Sequence, residues 1–165
     1  MEYAGVRSLP EPPIQTSHVR EMAANLLLGR ALQTLDGACG TVVYSDVEGR
    51  RNSDSFALPG RPDRLHELQP VIEAMLEWTL YTEKPVAVND LARSPWSRHL
   101  MHGSAPPPGA LVATPLAQRG AIWGAIAVYR ESPVAGSMAL LGQLAEVATE
   151  PLSSLGTGRP EGVSS

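Results

Sequence analysis

The sequence predicts an α+β fold built around one hairpin of apolar strands. Three observations support this. The stretch from Gly109 to Arg130 reads as two adjacent strands, apolar residues recur at helical spacing near both ends, and 43% of the 165 residues are hydrophobic. A chain of this length suits one domain with a substantial core.

The hairpin consists of the runs Ala110–Ala117 and Ala121–Tyr129. Gly120 ends the short connection and can adopt the positive φ of a tight turn. Alternation places Ile122, Ile126 and Val128 on one face, and Ala121, Trp123, Ala125, Ala127 and Tyr129 on the other. Both faces are apolar, which predicts a central position in a sheet covered on both sides. Pro115 cannot donate to a ladder and indicates a bulge or an unpaired position.

The first third of the chain predicts a helix and two strands. Thr16 or Ser17 can cap a helix that continues to about Leu35. The first strand is predicted at 38–45 and the second at 51–57. The second strand is polar, which favours an edge position.

The rest of the chain alternates helices with strands. One helical turn is predicted at 63–68, and a longer helix opens at Gln69-Pro70. A short strand follows at 86–88, and the hairpin is followed by a last helix that begins at Ser132 or Ser137. Between them lies the loop 91–108, in which Ser94 and Pro95 predict a short capped helix.

Composition sets the expected boundaries and excludes several function classes. We expect a disordered proline-rich lead at 1–16, a domain at 17–155 with no further domain after it, and a disordered tail at 156–165. The net charge of −4 without a basic cluster argues against nucleic-acid binding. No apolar run reaches membrane-spanning length and no signal peptide is recognisable, so a cytoplasmic location is expected. Cys39, the only cysteine, lies in an apolar run and is expected to be buried and inert.

The loop 91–108 is the best candidate for a functional segment, because long loops in compact domains are often binding segments. It carries Trp96, His99 and Met101, and Asp90 precedes it. An aromatic wall with a few polar groups is typical of a small-molecule pocket. Alternatively, Trp96 only packs against the sheet. His99 and His102 with Asp90 do not make a convincing metal site, and no nucleophile triad or phosphate loop is recognisable.

Three segments resemble the GAF domain family. TEKPVAVNDL (82–91) resembles its helix end, proline, short strand and closing Asp, and LVATPLAQRGAIWGAIAVYR (111–130) resembles its hairpin with Pro-Leu and an internal glycine. LLGQLAEVATEPL (140–152) resembles its closing helix. The resemblance covers about residues 17–153. PAS and Roadblock domains are the nearest alternatives in shape.

The resemblance implies a mostly antiparallel sheet of five or six strands, with the terminal helices on one face. A ligand pocket would lie on the other face under the long loop. Tyr44 and Phe56, on the first two strands, would face the same pocket as Trp96 if this layout holds.

Several activities of the family do not fit these residues. Bilin-binding members attach the pigment through a Cys next to a His, whereas Gly40 follows Cys39. Members that reduce free methionine sulfoxide use several cysteines, and the cyclic-nucleotide signature Asn-Lys-Phe-Asp-Glu is absent. A haem sensor would need an axial ligand, for which His66, His99 and His102 are all available. We therefore expect a non-enzymatic domain and identify no cofactor.

Two functions stay open: a sensory module that binds a small molecule and signals to a partner chain, or an interaction and dimerisation module without a ligand. A wide leucine stripe on the first and last helices predicts a homodimer, since a monomer would have to expose part of it. The predicted interface comprises Leu26, Leu27, Leu28, Leu32, Leu140, Leu141 and Leu144.

Overall fold

The computed structural model describes residues 13–46, 48–60, 62–100 and 105–149, with side chains from residue 19 onward. The helices of this part are α1 (Pro13–Leu35), α2 (Pro62–Thr82) and α3 (Ser137–Ala148). The strands are β1 (Cys39–Ser45), β2 (Arg51–Ala57), β3 (Val86–Val88), β4 (Ala110–Gln118) and β5 (Ala121–Arg130). Two short 3₁₀ helices, Leu91–Arg93 and Pro95–His99, lie between β3 and β4.

The five strands form one sheet in the order β2-β1-β5-β4-β3, and all neighbours are antiparallel. This confirms the α+β fold with an antiparallel sheet. The hairpin β4–β5 supplies the centre of the sheet, as its two apolar faces predicted. The polar strand β2 pairs only with β1 and is an edge strand, also as predicted.

A bulge in the hairpin changes the direction of one tryptophan. Leu116 pairs with Gly124 and Ala117 with Ile122, so Trp123 is the extra residue of β5. The sequence predicted a bulge or an unpaired position at Pro115, whereas Pro115 pairs with Ala125 and the irregularity follows between Leu116 and Ala117. Because one extra residue inverts the alternation, Trp123 lies on the same face as Ile126, not with Ala125 as simple alternation predicted.

Each face of the sheet has its own core. The terminal helices α1 and α3 cover one face, as predicted, with side chains from β1 and β5 such as Val42 and Val128. On the other face, α2 and the loop pack against Cys39, Val43 and Leu111. We call these the α1/α3 face and the α2 face.

The leucine stripe is mostly internal to one chain. Six of its seven members are at most 8% exposed and pack on the α1/α3 face, and only Leu26, at 47%, stays exposed. They are Leu27, Leu28, Leu32, Leu140, Leu141 and Leu144. In the structure α1 contacts α3 as well as the sheet, so a wide apolar stripe is needed to cover both contacts. The sequence does not show this second contact, and the stripe therefore looked too wide for one core. A folded monomer therefore does not need to expose these six side chains.

Two helix boundaries differ from the sequence prediction. Helix α1 begins at Pro13, before the expected caps Thr16 and Ser17. Helix α2 is continuous from residue 62 to 82 and contains Pro70, where we expected a new helix to begin. Pro70 has no N–H to donate to the preceding turn, but burial of Leu68 and of the apolar residues after Pro70 keeps both halves in one helix.

Candidate functional site

A groove of about 510 Å³ lies on the α2 face, between α2 and the strands β1 and β2. We call it the α2–β2 groove. Its floor is apolar and includes Val43 and Ala74. The polar side chains that line it are those of Thr41, Ser53, Gln69, Glu73 and Glu77.

Some polar groups of the groove are already paired. The hydroxyls of Thr41 and Ser55 are 2.8 Å apart, and the amide of Gln69 donates to Glu73 at 3.2 Å. Arg51 makes an ion pair with Glu77 that bridges β2 and α2. The hydroxyl of Ser53 makes no hydrogen bond among the described residues. The arrangement offers both donors and acceptors to a small polar molecule.

On the other side of α2, aromatic side chains surround an open cleft of about 460 Å³. We call it the aromatic cleft. The helix contributes Trp78 and Tyr81, and the second 3₁₀ helix contributes Trp96, Arg98 and His99. The rings of Trp96 and His99 lie 5.5 Å apart at 33°. The cleft is open to solvent along its length.

The second 3₁₀ helix has the cap that the sequence predicted. The hydroxyl of Ser94 accepts a hydrogen bond from the backbone N–H of Trp96 at 3.1 Å, and Pro95 occupies the first position. This cap satisfies an N–H that the short helix leaves without a partner. It fixes the starting direction of the segment that carries Trp96 and His99.

Apolar side chains fill the space between the loop and the sheet. Leu91 is fully buried and Leu100 is 8% exposed, and both belong to the core of the α2 face. Trp96 packs partly against the same core. The sequence placed a ligand between loop and sheet, whereas the cavities beside Trp96 open outward. Trp96 thus combines both roles weighed for it: one part packs against the core and another lines a cleft.

Asp90 closes the base of the loop. One carboxylate oxygen accepts from the backbone N–H groups of Ala92 and Gly109, both at 3.3 Å. The N–H of Leu91 donates to the carbonyl of Gly109 at 2.7 Å. Asp90 therefore joins the two ends of the loop, although its carboxylate also borders a shallow cavity between the loop and the start of α3.

Tyr44 and Phe56 are not brought together with Trp96. Tyr44 lies in the core of the α1/α3 face and donates to Asp54 at 3.1 Å. The pKa of Tyr44 is raised to about 12, mainly by burial and secondly by the nearby Asp54 carboxylate. Phe56 pairs with Gly40, whose missing side chain would point towards α1, and is half exposed. The even-numbered residues of β1 face the terminal helices, which is the opposite face from the one that the resemblance implied for Tyr44. Met101 and His102 lie outside the described residues.

Sequence reasoning missed the residues of α2 that line the two cavities. Trp78 and Tyr81 are three residues apart and lie outside the buried stripe of the helix. Two aromatic side chains on the solvent side of a helix were the available signal. Ser53 and Gln69 carried no comparable signal, because polar residues on an edge strand and a helix surface are ordinary.

The thiol of Cys39 is buried as predicted, and burial raises its pKa to about 12. Within the described residues, no cluster of three or more His, Cys, Asp or Glu side chains is suited to a metal ion. In the same part of the chain, no helix has both the length and the hydropathy needed to cross a bilayer.

Several solved structures share this fold, and some of them are named as GAF domains. The GAF domain/HD domain protein from Geobacter sulfurreducens is 14% identical, with a TM-score of 0.52 over 88% of this chain and 98% of that one. The PixJ GAF domain from Thermosynechococcus elongatus, in its blue-light absorbing form, is 13% identical, with a TM-score of 0.54 over 92% and 94%. A type II free methionine-R-sulfoxide reductase from Thermoplasma acidophilum is 11% identical, with a TM-score of 0.51 over 85% and 96%.

At these identities the likeness concerns the fold alone. No curated protein matches the chain. A family model described as GAF domain matches residues 18–150. This range contains all five strands, the helices α2 and α3, and α1 from residue 18 onward. This confirms the resemblance seen in the sequence: the chain belongs to the GAF domain family.

Proposed function

We propose that this chain is a non-enzymatic sensory GAF domain that binds a small polar molecule in the α2–β2 groove and signals to a partner chain. The observation that carries the proposal is the groove itself. Side chains from β1, β2 and α2 converge on one concave site of about 510 Å³, which is within the usual range of ligand pockets.

The lining of the groove favours a polar ligand. Hydroxyl, amide and carboxylate groups stand above a small apolar floor, and a ligand with several donors and acceptors would satisfy them. The Arg51–Glu77 ion pair closes one side. It is exposed and contributes little to stability, so a charged ligand group can exchange with either partner at small cost.

Chemistry at the buried cysteine is disfavoured. Redox and nucleophilic reactions of cysteine need the thiolate, and burial keeps the Cys39 thiol protonated. The likeness to a methionine sulfoxide reductase is therefore not matched by a reactive thiol in this chain.

The groove is connected to the other face of the sheet through β1. Thr41 and Val43 face the groove, and Val42 and Tyr44, which alternate with them, pack on the α1/α3 face. The side chain of Arg20 in α1 also donates to the carbonyl of Ser45 at 2.8 Å. A ligand that shifts β1 would thus move α1, which we propose as the route to a partner.

A homodimer through α1 remains part of the proposal, on a smaller surface than the sequence suggested. Met22 and Leu26 are one turn apart on α1 and are 41% and 47% exposed. Met138, near the start of α3, is 71% exposed. The cytoplasmic location also remains a prediction.

A melting-temperature screen tests the ligand proposal. Nucleotides, cyclic dinucleotides, amino acids, haem and tetrapyrroles are the classes to screen first. A compound at about 100 times its dissociation constant stabilises the fold by roughly 2.7 kcal/mol, which raises the melting temperature by roughly 5–10 °C for a domain of this size. Ser53→Arg should block the groove and abolish the shift, whereas Gln33→Arg on α1 should preserve it.

The interaction module is the alternative function, and the exposed aromatic cleft favours it. If no compound raises the melting temperature by more than about 1 °C, and mass spectrometry finds no co-purified compound, the sensory proposal fails and the alternative replaces it. A shift that survives Ser53→Arg would place the ligand elsewhere.

A further inference from the structure

The aromatic cleft has the chemistry of a protein-binding surface. Tyr81 is 86% exposed and Trp78 is 50% exposed, and both stand beside Trp96 and Arg98. Large aromatic side chains are costly to leave in water, and Trp, Tyr and Arg are the residues enriched at binding hot spots. The cleft is open and shallow, unlike the α2–β2 groove, which suits an extended segment better than an enclosed small molecule.

The ring arrangement favours a proline-rich partner. Grooves lined by Trp and Tyr bind segments in the polyproline II conformation, because proline rings pack on aromatic faces and the segment is ordered at little entropic cost. On this chain the side chains of Trp78 and Tyr81 follow each other along α2, and those of Trp96 and His99 along the facing 3₁₀ helix. An extended chain can lie between these two rows.

The charge of the cleft favours an acidic residue in that segment. The guanidinium of Arg98 is exposed and makes no ion pair or hydrogen bond among the described residues. Glu77, which also borders the cleft, is already paired with Arg51. Arg98 is thus available to a carboxylate brought by the partner.

The chain itself contains a segment of this chemistry. Its sequence runs Ser8-Leu9-Pro10-Glu11-Pro12, directly before the first residue of α1, and so combines prolines with one carboxylate. We propose that the aromatic cleft binds this segment from a second copy of the chain, with the prolines on the aromatic rings and Glu11 paired with Arg98.

The stretch of chain that joins this segment to α1 is too short for the segment to reach the cleft of its own molecule. Pro10 is three residues from the start of α1, which corresponds to about 10 Å even when fully extended. Helix α1 and the aromatic cleft lie on opposite sides of the sheet, and packed layers are spaced by about 10 Å each, so the separation is about 20 Å. This spacing favours a segment that comes from another molecule.

This contact differs from a dimer through α1. Each copy offers one segment and one cleft, so the contact is heterologous and can link successive copies. It does not require any ligand in the α2–β2 groove, and the two proposals can fail independently.

Nuclear magnetic resonance of the tryptophan indole N–H groups provides the test. The chain has three tryptophans: Trp78 and Trp96 line the cleft, and Trp123 is buried on the other face. The receiving chain is the full sequence with Pro10→Ser and Pro12→Ser, so that its own segment does not compete. The probe is a synthetic peptide of residues 5–14. We expect saturable shifts of the Trp78 and Trp96 signals below about 1 mM peptide, with the Trp123 signal unchanged.

Variants on both sides of the contact sharpen the test. Tyr81→Ala and Arg98→Glu should each weaken binding at least about tenfold, and a peptide with Glu11→Lys should recover binding to the Arg98→Glu chain. Phe56→Ala, an exposed aromatic on the other face, is the matched control and should leave binding unchanged. Circular dichroism checks that each variant is folded.

Three results would overturn the proposal. The first is the absence of indole shifts at about 1 mM peptide. The second is an equal response to a peptide in which the prolines are replaced by alanine. The third is binding that Tyr81→Ala leaves unchanged in a folded chain.

Discussion

The hydroxyl of Tyr129 donates a hydrogen bond to the carbonyl oxygen of Pro108, at 2.5 Å. This bond ties the end of the long loop to the central strand β5. Gly109 follows with φ near 133°, and a side chain there would lie 2.5 Å from the carbonyl of Arg130 and 2.7 Å from the Tyr129 ring. Together with the Asp90 carboxylate, these contacts fix where the loop rejoins the sheet.

Gly109→Ala should destabilise the domain by at least about 2 kcal/mol, because it combines a strained φ with overpacking against backbone. Gly29→Ala is the control, since nothing lies within 4 Å of its added methyl on α1. There we expect stabilisation of about 0.5–1 kcal/mol. Urea unfolding of both variants measures the difference; equal stabilities would show that the loop end is not constrained as described.

Stability should fall at alkaline pH through Tyr129. Burial raises the pKa of this phenol from 10.0 to about 12, partly offset by Arg64. Since the folded state favours the neutral phenol, its contribution is complete below pH 10 and is lost as the pH rises to about 12. In Tyr129→Phe, the free energy of unfolding should be lower at pH 8 and should decrease less between pH 10 and 12. If the free energy of unfolding decreased as steeply between pH 10 and 12 in Tyr129→Phe as in the wild-type chain, Tyr129 would not be the group responsible.

Cys39 should react slowly with thiol reagents in native buffer and quickly in denaturant. The side chain is fully buried and burial raises its pKa to about 12, so neither access nor thiolate is available in the folded state. Absorbance of a chromogenic disulfide reagent follows the reaction. Rapid labelling of the native chain would reopen a redox role.

The proposed dimer should depend on Leu26. Leu26→Glu removes an exposed apolar side chain and adds a charge, so it should give a monomer without unfolding the chain. Gln33→Glu, another exposed position on α1, is the control for charge alone. Light scattering coupled to gel filtration measures the mass. A wild-type chain that is monomeric at tens of micromolar would rule out the dimer.

The candidate site was only partly predictable from sequence. The cap at Ser94 and the aromatic character of the loop were local features and could be read directly. The separation of Tyr44 from Trp96 depended on the phase of β1, and Trp123 changed face because of one bulge residue in β5. Pro115 indicated an irregularity in the hairpin, but the alternation of apolar and polar residues shows neither which residue of β5 is the extra one nor which face each side of β1 meets.

The sequence by itself determined the order of the elements, the central hairpin and the edge position of β2, because these follow from local patterns of apolar and turn residues. Tertiary structure alone decided which leucines were core, since burial of Leu28 or Leu144 depends on helices and strands distant in sequence. It also decided where cavities lie. A cavity is the space left between packed elements, and the α2–β2 groove and the aromatic cleft exist only because α2 crosses the sheet with a strand on one side and the loop on the other.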